Sequence, residues 1–141
     1  PERQVIDQVT LVHGSPRNPV WEYILDLHSA GQNLNHFDTQ LCMVGHTHLP
    51  IIYMAVEGSK DLRWSVPLEG ERIEIKTRAI LNPGSVGQPR DHDPRASYAI
   101  FDPETNSWEI HRVLYDIESV QKRIRAAALP IRHALRLYEG W

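Results

Sequence analysis

The sequence predicts an α/β fold, and three observations carry that prediction. Leu41–Val44 (LCMV) is a short, wholly apolar run closed by Gly45, as suits a strand buried on both faces of a sheet. Two further apolar runs also stop at loops, one at His13-Gly14 and one at Asn82-Pro83-Gly84. Between and beyond these strands, apolar residues recur at helical spacing.

Taken in order, Gln8–Val12 (QVTLV) is β-branched and apolar, and reads as a buried strand that delivers His13 to its C-terminal end. Ser15-Pro16-Arg17-Asn18-Pro19 is a turn cluster in which Asn18 has the form of an N-cap, with proline at the first helical position. A helix running to about Leu27 is expected, with Val20, Tyr23, Ile24 and Leu27 as its core stripe. Ser29–Gln40 is a weaker helical pattern anchored by Leu34 and Phe37. Ile51–Val56 is the next strand, and Asp61–Gly70 is loop or irregular hairpin. Arg72–Thr77 alternates with Ile73 and Ile75 on one face, and Ala79–Leu81 continues apolar into Asn82-Pro83-Gly84. Ser97–Phe101 and Trp108–Tyr115 form a hairpin around the turn residues Asp102–Asn106. Asp116 caps a helix marked by Ile117, Val120, Ile124 and Ala127. Pro130 interrupts it and opens a last helix that ends near Gly140. Arg123, Arg125, Arg132 and Arg136 are assigned to a solvated face.

Composition narrows the classes of function. With 141 residues, 41% hydrophobic and 23% charged, the chain suits one domain or most of one. A net charge of −3 leaves no surplus of Lys and Arg for a nucleic-acid backbone. The single cysteine, Cys42, rules out an internal disulfide, and a cytoplasmic location is the expectation. The longest wholly apolar run, Ile51–Val56, is far short of the roughly 20 residues that span a membrane, so no membrane partner is expected.

The strongest chemical signal is Gly45-His46-Thr47-His48. In extended backbone, residues two apart project to the same side, so the two imidazoles converge while Thr47 points away. Imidazole is a ligand for Zn, Mn, Fe and Ni, and strand ends in α/β folds gather ligands. Among eight histidines a close pair also has an ordinary surface reading. His13 adds a third histidine at a second strand end, followed at once by Gly14. Asn82-Pro83-Gly84-Ser85-Val86-Gly87 reads either as a tight turn or as a loop whose N–H groups face an anion. His28, His36, His111 and His133 stand alone, His92 sits in a charged loop, and Cys42 reads as inert and buried.

The wording and order of LVHGSPRNPVWEYI, VGHTHLPII and LNPGSVGQPRDHDPRASYAIFD resemble the C-terminal half of the calcineurin-like metallophosphoesterases, especially their small phosphodiesterase-like branch. The resemblance implies the C-terminal half of a four-layer α/β/β/α sandwich, with residues 1–141 forming part of a single domain. It implies two divalent metal ions (Mn, Fe, Zn or Ni), with His13 and His46 on one and His48 on the other. A hydroxide bridging the ions would attack phosphorus in a phosphomonoester or phosphodiester. Arg17 and Asn82 are candidates to orient substrate oxygens.

The family's earlier motifs, Asp-x-His, Gly-Asp-x-x-Asp and Gly-Asn-His-Asp/Glu, have no counterpart here, and their place is upstream of Pro1. The expectation is therefore a phosphoesterase fragment that is inactive alone, with no certain catalytic residue of its own and the missing N-terminal half as its partner. Self-association of such a fragment is a further expectation. The competing reading is a non-catalytic protein-binding scaffold with the same fold.

Overall fold

The computed structural model describes residues 2–141. Pro1, the boundary at which the sequence reading places the missing motifs, lies outside them. In chain order the elements are β1 (Arg3–Ile6), β2 (Val9–Val12), α1 (Leu27–Asn33), β3 (Leu41–Met43), β4 (Pro50–Ala55), β5 (Leu62–Ser65), β6 (Arg72–Glu74), β7 (Ala79–Pro83), β8 (Ala96–Asp102), β9 (Ser107–Val113), α2 (Ile117–Ala126) and α3 (Arg132–Glu139). A single 3₁₀ turn, Leu34–His36, extends α1.

The strands form two sheets, one mixed and six-stranded in the order β1-β2-β3-β7-β4-β5, the other antiparallel in the order β6-β9-β8. At the centre of the larger sheet β2, β3 and β7 run parallel, with Val9 beside Leu41, Leu41 beside Ala79 and Cys42 beside Ile80. Side chains alternate across this sheet as the pleat requires. One set, Val9, Leu41, Ile52, Met54, Ala79 and Leu81, packs against Ile75, Trp108 and Ile110 between the sheets. The other set, Val12, Cys42, Val44, Tyr53 and Ile80, packs against Ile24, Ala30 and Phe37 on the outer face. LCMV is apolar throughout because it supplies both cores. Burial also raises the Cys42 thiol to about 12, so it stays protonated and unreactive.

The expected helix from Asn18 to Leu27 does not form. Asn18 does make a cap, its Oδ1 accepting the Trp21 N–H (3.3 Å). The turn then stops, because the Pro19 carbonyl takes the Gly14 N–H (2.6 Å) rather than a donor one turn ahead. The carbonyls of Asn18, Pro19 and Glu22 crowd around Gly14, where a Cβ would lie within 3.0 to 3.1 Å of all three. Ile24 is buried as expected, but Tyr23 and Leu27 are exposed. The helix begins instead at Leu27, with Asp26 and Ser29 forming a reciprocal capping box. It is also shorter than the Ser29–Gln40 pattern.

Other differences are smaller. β1 pairs antiparallel with β2, a hairpin the sequence reading leaves out. Leu62–Ser65 is a regular strand on β4, and β6 ends at Glu74, beyond which the Ile75 N–H is taken by the Asn106 carbonyl (2.8 Å). The closing hairpin, the Asp116 cap and the left-handed Gly140 after α3 are as expected. Gln121 ties α2 to α3 by donating to the Ala134 carbonyl (2.7 Å).

Gly84, after β7, has φ +84°, and a Cβ there would stand 2.8 Å from Ser97 Oγ, which is held by the Pro83 carbonyl. Gly58 has a similar φ of +72° with nothing within 4 Å. Gly58→Ala is expected to cost about 1 kcal/mol, the penalty of left-handed backbone alone. Gly84→Ala should cost more, on the order of 2 kcal/mol or above. Urea denaturation of both variants measures the difference, and equal losses would remove the Ser97 contact from the argument.

Candidate metal centre

Because β2, β3 and β7 are parallel, their C-terminal ends share one edge of the sheet, and the loops that follow them meet there. The Gly45 N–H donates to the His13 carbonyl (2.9 Å), and the Val44 N–H to that of Leu81 (2.9 Å). His13 and His46 are thereby brought together, with His13 Nε2 facing His46 Nδ1 at 2.9 Å. The rings meet edge to face, and the Tyr23 ring stacks on the other side of His46 at 3.9 Å.

The Gly45-His46-Thr47-His48 loop is not extended. His46 has φ +61° and His48 φ +64°, both in the left-handed region that β-carbons disfavour. The Thr47 N–H closes a three-residue turn onto the Gly45 carbonyl (2.6 Å). The two imidazoles are therefore presented by a strained turn and not by strand alternation. Thr47 is buried, its Oγ1 accepting from Asn82 Nδ2.

Asn82 lies beneath this turn, 1% exposed. Its Nδ2 donates to the Gly45 carbonyl (2.8 Å) and to Thr47 Oγ1 (2.9 Å), and its Oδ1 accepts the Gly84 N–H (2.9 Å). Both of its donors are thus spent on holding the histidine turn. The Gly84 N–H is spent in the same way, so it does not face an anion.

His48 Nδ1 contacts the Gln88 carbonyl at 2.7 Å. A carbonyl only accepts, so Nδ1 carries the proton and Nε2 keeps its lone pair, the tautomer a metal ligand requires. Burial lowers the pKa of both His46 and His48, and the neighbouring His13 adds to the effect at His46. Both shifts favour the neutral, ligating ring.

Arg17 is engaged below the site. Its Nε (3.3 Å) and Nη2 hold the Glu22 carboxylate, and its Nη1 donates to Gln32 Oε1 (2.7 Å). Glu22 also accepts from Ser15 Oγ and from Asn33 Nδ2 (3.1 Å), and these bonds, that to Arg17 foremost, lower its carboxyl to about 2. Buried Asn33 further accepts the Arg17 N–H (3.0 Å). Sequence reasoning missed Glu22, Asn33, Tyr23 and Gln88. The first three belong to the segment misread as a helix, or to the helix it packs on, and nothing in the spacing marks a backbone carbonyl such as that of Gln88.

Two imidazole nitrogens on one cation, at bond lengths of about 2 Å, stand roughly 3 Å apart, so His13 and His46 fit one ion as they are placed. Among the described residues no three of His, Cys, Asp and Glu form a group able to hold a metal ion. The donor set is nitrogen only, without the carboxylates that would offset the repulsion of two dications.

The model of the calcineurin-like phosphoesterase superfamily domain matches residues 2–106, and this chain belongs to that superfamily. It is similar to a metallophosphoesterase from Sphaerobacter thermophilus, whose crystal structure superposes with a TM-score of 0.93 at 46% identity over 100% of this chain and 58% of that one. An uncharacterized protein of Methanocaldococcus jannaschii is 36% identical over 94% of this chain and 52% of its own length. A hypothetical protein of Pyrococcus horikoshii shares the fold, with a TM-score of 0.72 at 21% identity over 100% of this chain and 51% of that one. The chain thus spans between half and three-fifths of the relatives it matches. Among the described residues no helix is long and apolar enough to cross a membrane.

Two expectations follow from this geometry. Asn82→Ala leaves Thr47, the Gly45 carbonyl and the Gly84 N–H short of a partner and should cost on the order of 3 kcal/mol; NMR of the His13 and His46 rings should show that the two have moved apart. Retention of both stability and ring proximity would remove Asn82 from its place under the turn. The Glu22 carboxyl, depressed in the folded state, contributes stability that is complete above its ordinary value of 4.5 and is lost as pH falls towards 2. Denaturation midpoints between pH 5 and pH 2 (roughly that window) should fall more steeply for the unaltered chain than for Glu22→Gln.

Proposed function

We propose that this chain carries the histidine part of the metal centre of a phosphoesterase that hydrolyses phosphomonoesters or phosphodiesters. The observation that carries the reading is the meeting of His13 Nε2 and His46 Nδ1 at 2.9 Å where the parallel strands end. Membership of the superfamily and the similarity to a metallophosphoesterase support it. In this reading His13 and His46 hold one divalent ion (Mn, Fe, Zn or Ni) and His48, through Nε2, holds the second. Ions so held acidify water and neutralise phosphoryl oxygens.

The chain's own residues prepare that site. Gln88 fixes the His48 tautomer, Asn82 holds the turn that presents His46 and His48, and Arg17 with Glu22 braces the segment that places Tyr23 against His46. In this reading Arg17 and Asn82, expected to orient substrate oxygens, instead position the residues around the histidines. The carboxylate ligands and the group that assists the leaving group come from chain that precedes this sequence in the same domain. Residues 1–141 alone are accordingly inactive, and the preceding half of the domain is their partner.

The coding sequence ahead of Pro1 tests the assignment directly: in-frame Asp, Asn and His motifs are expected, and a start codon there overturns the fragment reading. For the 141-residue chain, metal analysis after loading with Mn or Zn should find at most one ion, and hydrolysis of a generic phosphodiester should be absent. The protein extended by those motifs should hold two ions and turn over the diester, and His48→Ala in it should remove about one ion and lower kcat at least 100-fold. Two ions and full activity with His48→Ala would remove His48 from the ligand set.

A further inference from the structure

Arg90 differs from the arginines that hold carboxylates. Arg17, Arg72, Arg95 and Arg112 each hold a carboxylate, those of Glu22, Asp102, Asp93 with Glu69, and Asp91 respectively. No ion pair of Arg90 is found among the described residues. Its Nη2 donates to Gln88 Oε1 (3.0 Å), while its Nε is fully buried with no hydrogen-bond partner. A polar N–H withdrawn from water without an acceptor is costly, while Arg90 as a whole is only partly buried.

Arg90 lines a cavity of about 390 Å³ together with Tyr23, Thr47, Leu49, Arg136 and Trp141. No Asp or Glu side chain lines it. Thr47 is the residue between His46 and His48, and Tyr23 is the residue stacked on His46, so the cavity opens beside the histidine turn. Arg136, assigned from sequence to a solvated face, is instead partly buried here, its Nε donating to the Trp141 carbonyl. No other side-chain hydrogen bond of Arg136 is found among the described residues. A planar fork of guanidinium donors recognises phosphate oxygens in pairs, and two such groups in one cavity wall make an anion pocket. The charge of Arg90 also contributes to the lowered pKa of His46 and His48, in keeping with its closeness to both.

We propose that this cavity is an oxyanion subsite in which Arg90, supported by Arg136, binds a non-reacting phosphate group of the substrate. The substrate class is then a phosphoester whose leaving group carries a second phosphate. This specificity assignment rests on the phosphoesterase reading, but the binding of an anion does not. The test is an NMR titration of the uniformly ¹⁵N-labelled 141-residue chain in EDTA at low salt, with pyrophosphate as probe and the Arg90 Nε–H and Trp141 indole N–H as reporters. Saturable shifts of both are expected. Arg90→Gln should weaken pyrophosphate binding at least tenfold and Arg136→Gln at least threefold, whereas Arg123→Gln on the exposed face of α2 should leave it unchanged. Arg90→Lys should restore only part of the affinity, since it keeps the charge and loses the fork. Dispersed amide spectra of Arg90→Gln and Arg136→Gln confirm that the comparison is between folded chains; were Arg90→Gln unfolded, Arg136→Gln would decide alone. Absence of saturable shifts in the unaltered chain, or unchanged affinity in the folded variants, overturns the subsite. Because chelator is present, loss of metal binding by the longer protein with pyrophosphate binding retained overturns the phosphoesterase reading and leaves the subsite standing.

Discussion

The parallel pairing of β2, β3 and β7 is the constraint on which the rest of the molecule depends. Parallel strands bring like ends together, so three segments far apart in sequence deliver His13, the Gly45–His48 turn and Asn82 to one edge of the sheet. The buried amide of Asn82 then converts that proximity into geometry. Its three hydrogen bonds join the end of β7 to the turn after β3 and to Gly84, and the Gly45 N–H joins the same turn to His13. The bond to Thr47 is buried and the other two are part-buried, so losing the Asn82 amide takes the side-chain support from beneath the turn. Packing of the two cores on either side of the larger sheet secures the strands, and the strands secure the site.

Much of the sheet was legible because its signal is local. LCMV, the run into Asn82 and the hairpin about Asp102–Asn106 have lengths, periodicities and turn residues that mean the same thing in any context. The helical caps at Asp116 and Gly140 are similarly self-contained. The segment from Ser15 to Asp26 was not legible, although it holds a well-formed cap at Asn18. What stops its helix is the Gly14 N–H, which competes for the Pro19 carbonyl, and the pull of Ser15, Arg17 and Asn33 on Glu22. Only Asn33 comes from the following helix; the other partners lie within eight residues, and no periodicity of apolar residues signals such a polar network.

The site divides along the same line. That His13, His46 and His48 stand at neighbouring strand ends follows from the strand pattern, and the structure brings His13 and His46 into contact. How the turn presents its histidines did not follow, since alternation in extended backbone gives no hint of two left-handed residues. Arg17 and Asn82 drew notice as polar residues beside motifs, yet their groups are consumed by Glu22, Gln32, Gly45 and Thr47. Arg90 lies in the same loop wording as Asn82, and its distinction is a buried Nε without a partner, visible only once the side-chain pairings are known.

The left-handed backbone at His46 and His48 sets stability against chemistry at those two positions. Glycine or asparagine would relieve the backbone, and either would remove the imidazole. A selection that rewards heat resistance alone would therefore push both positions away from histidine, and the same replacements would remove the imidazoles on which the proposed centre rests. Engineering a more robust version of this protein has to leave these two residues strained and seek added stability elsewhere, in the two cores.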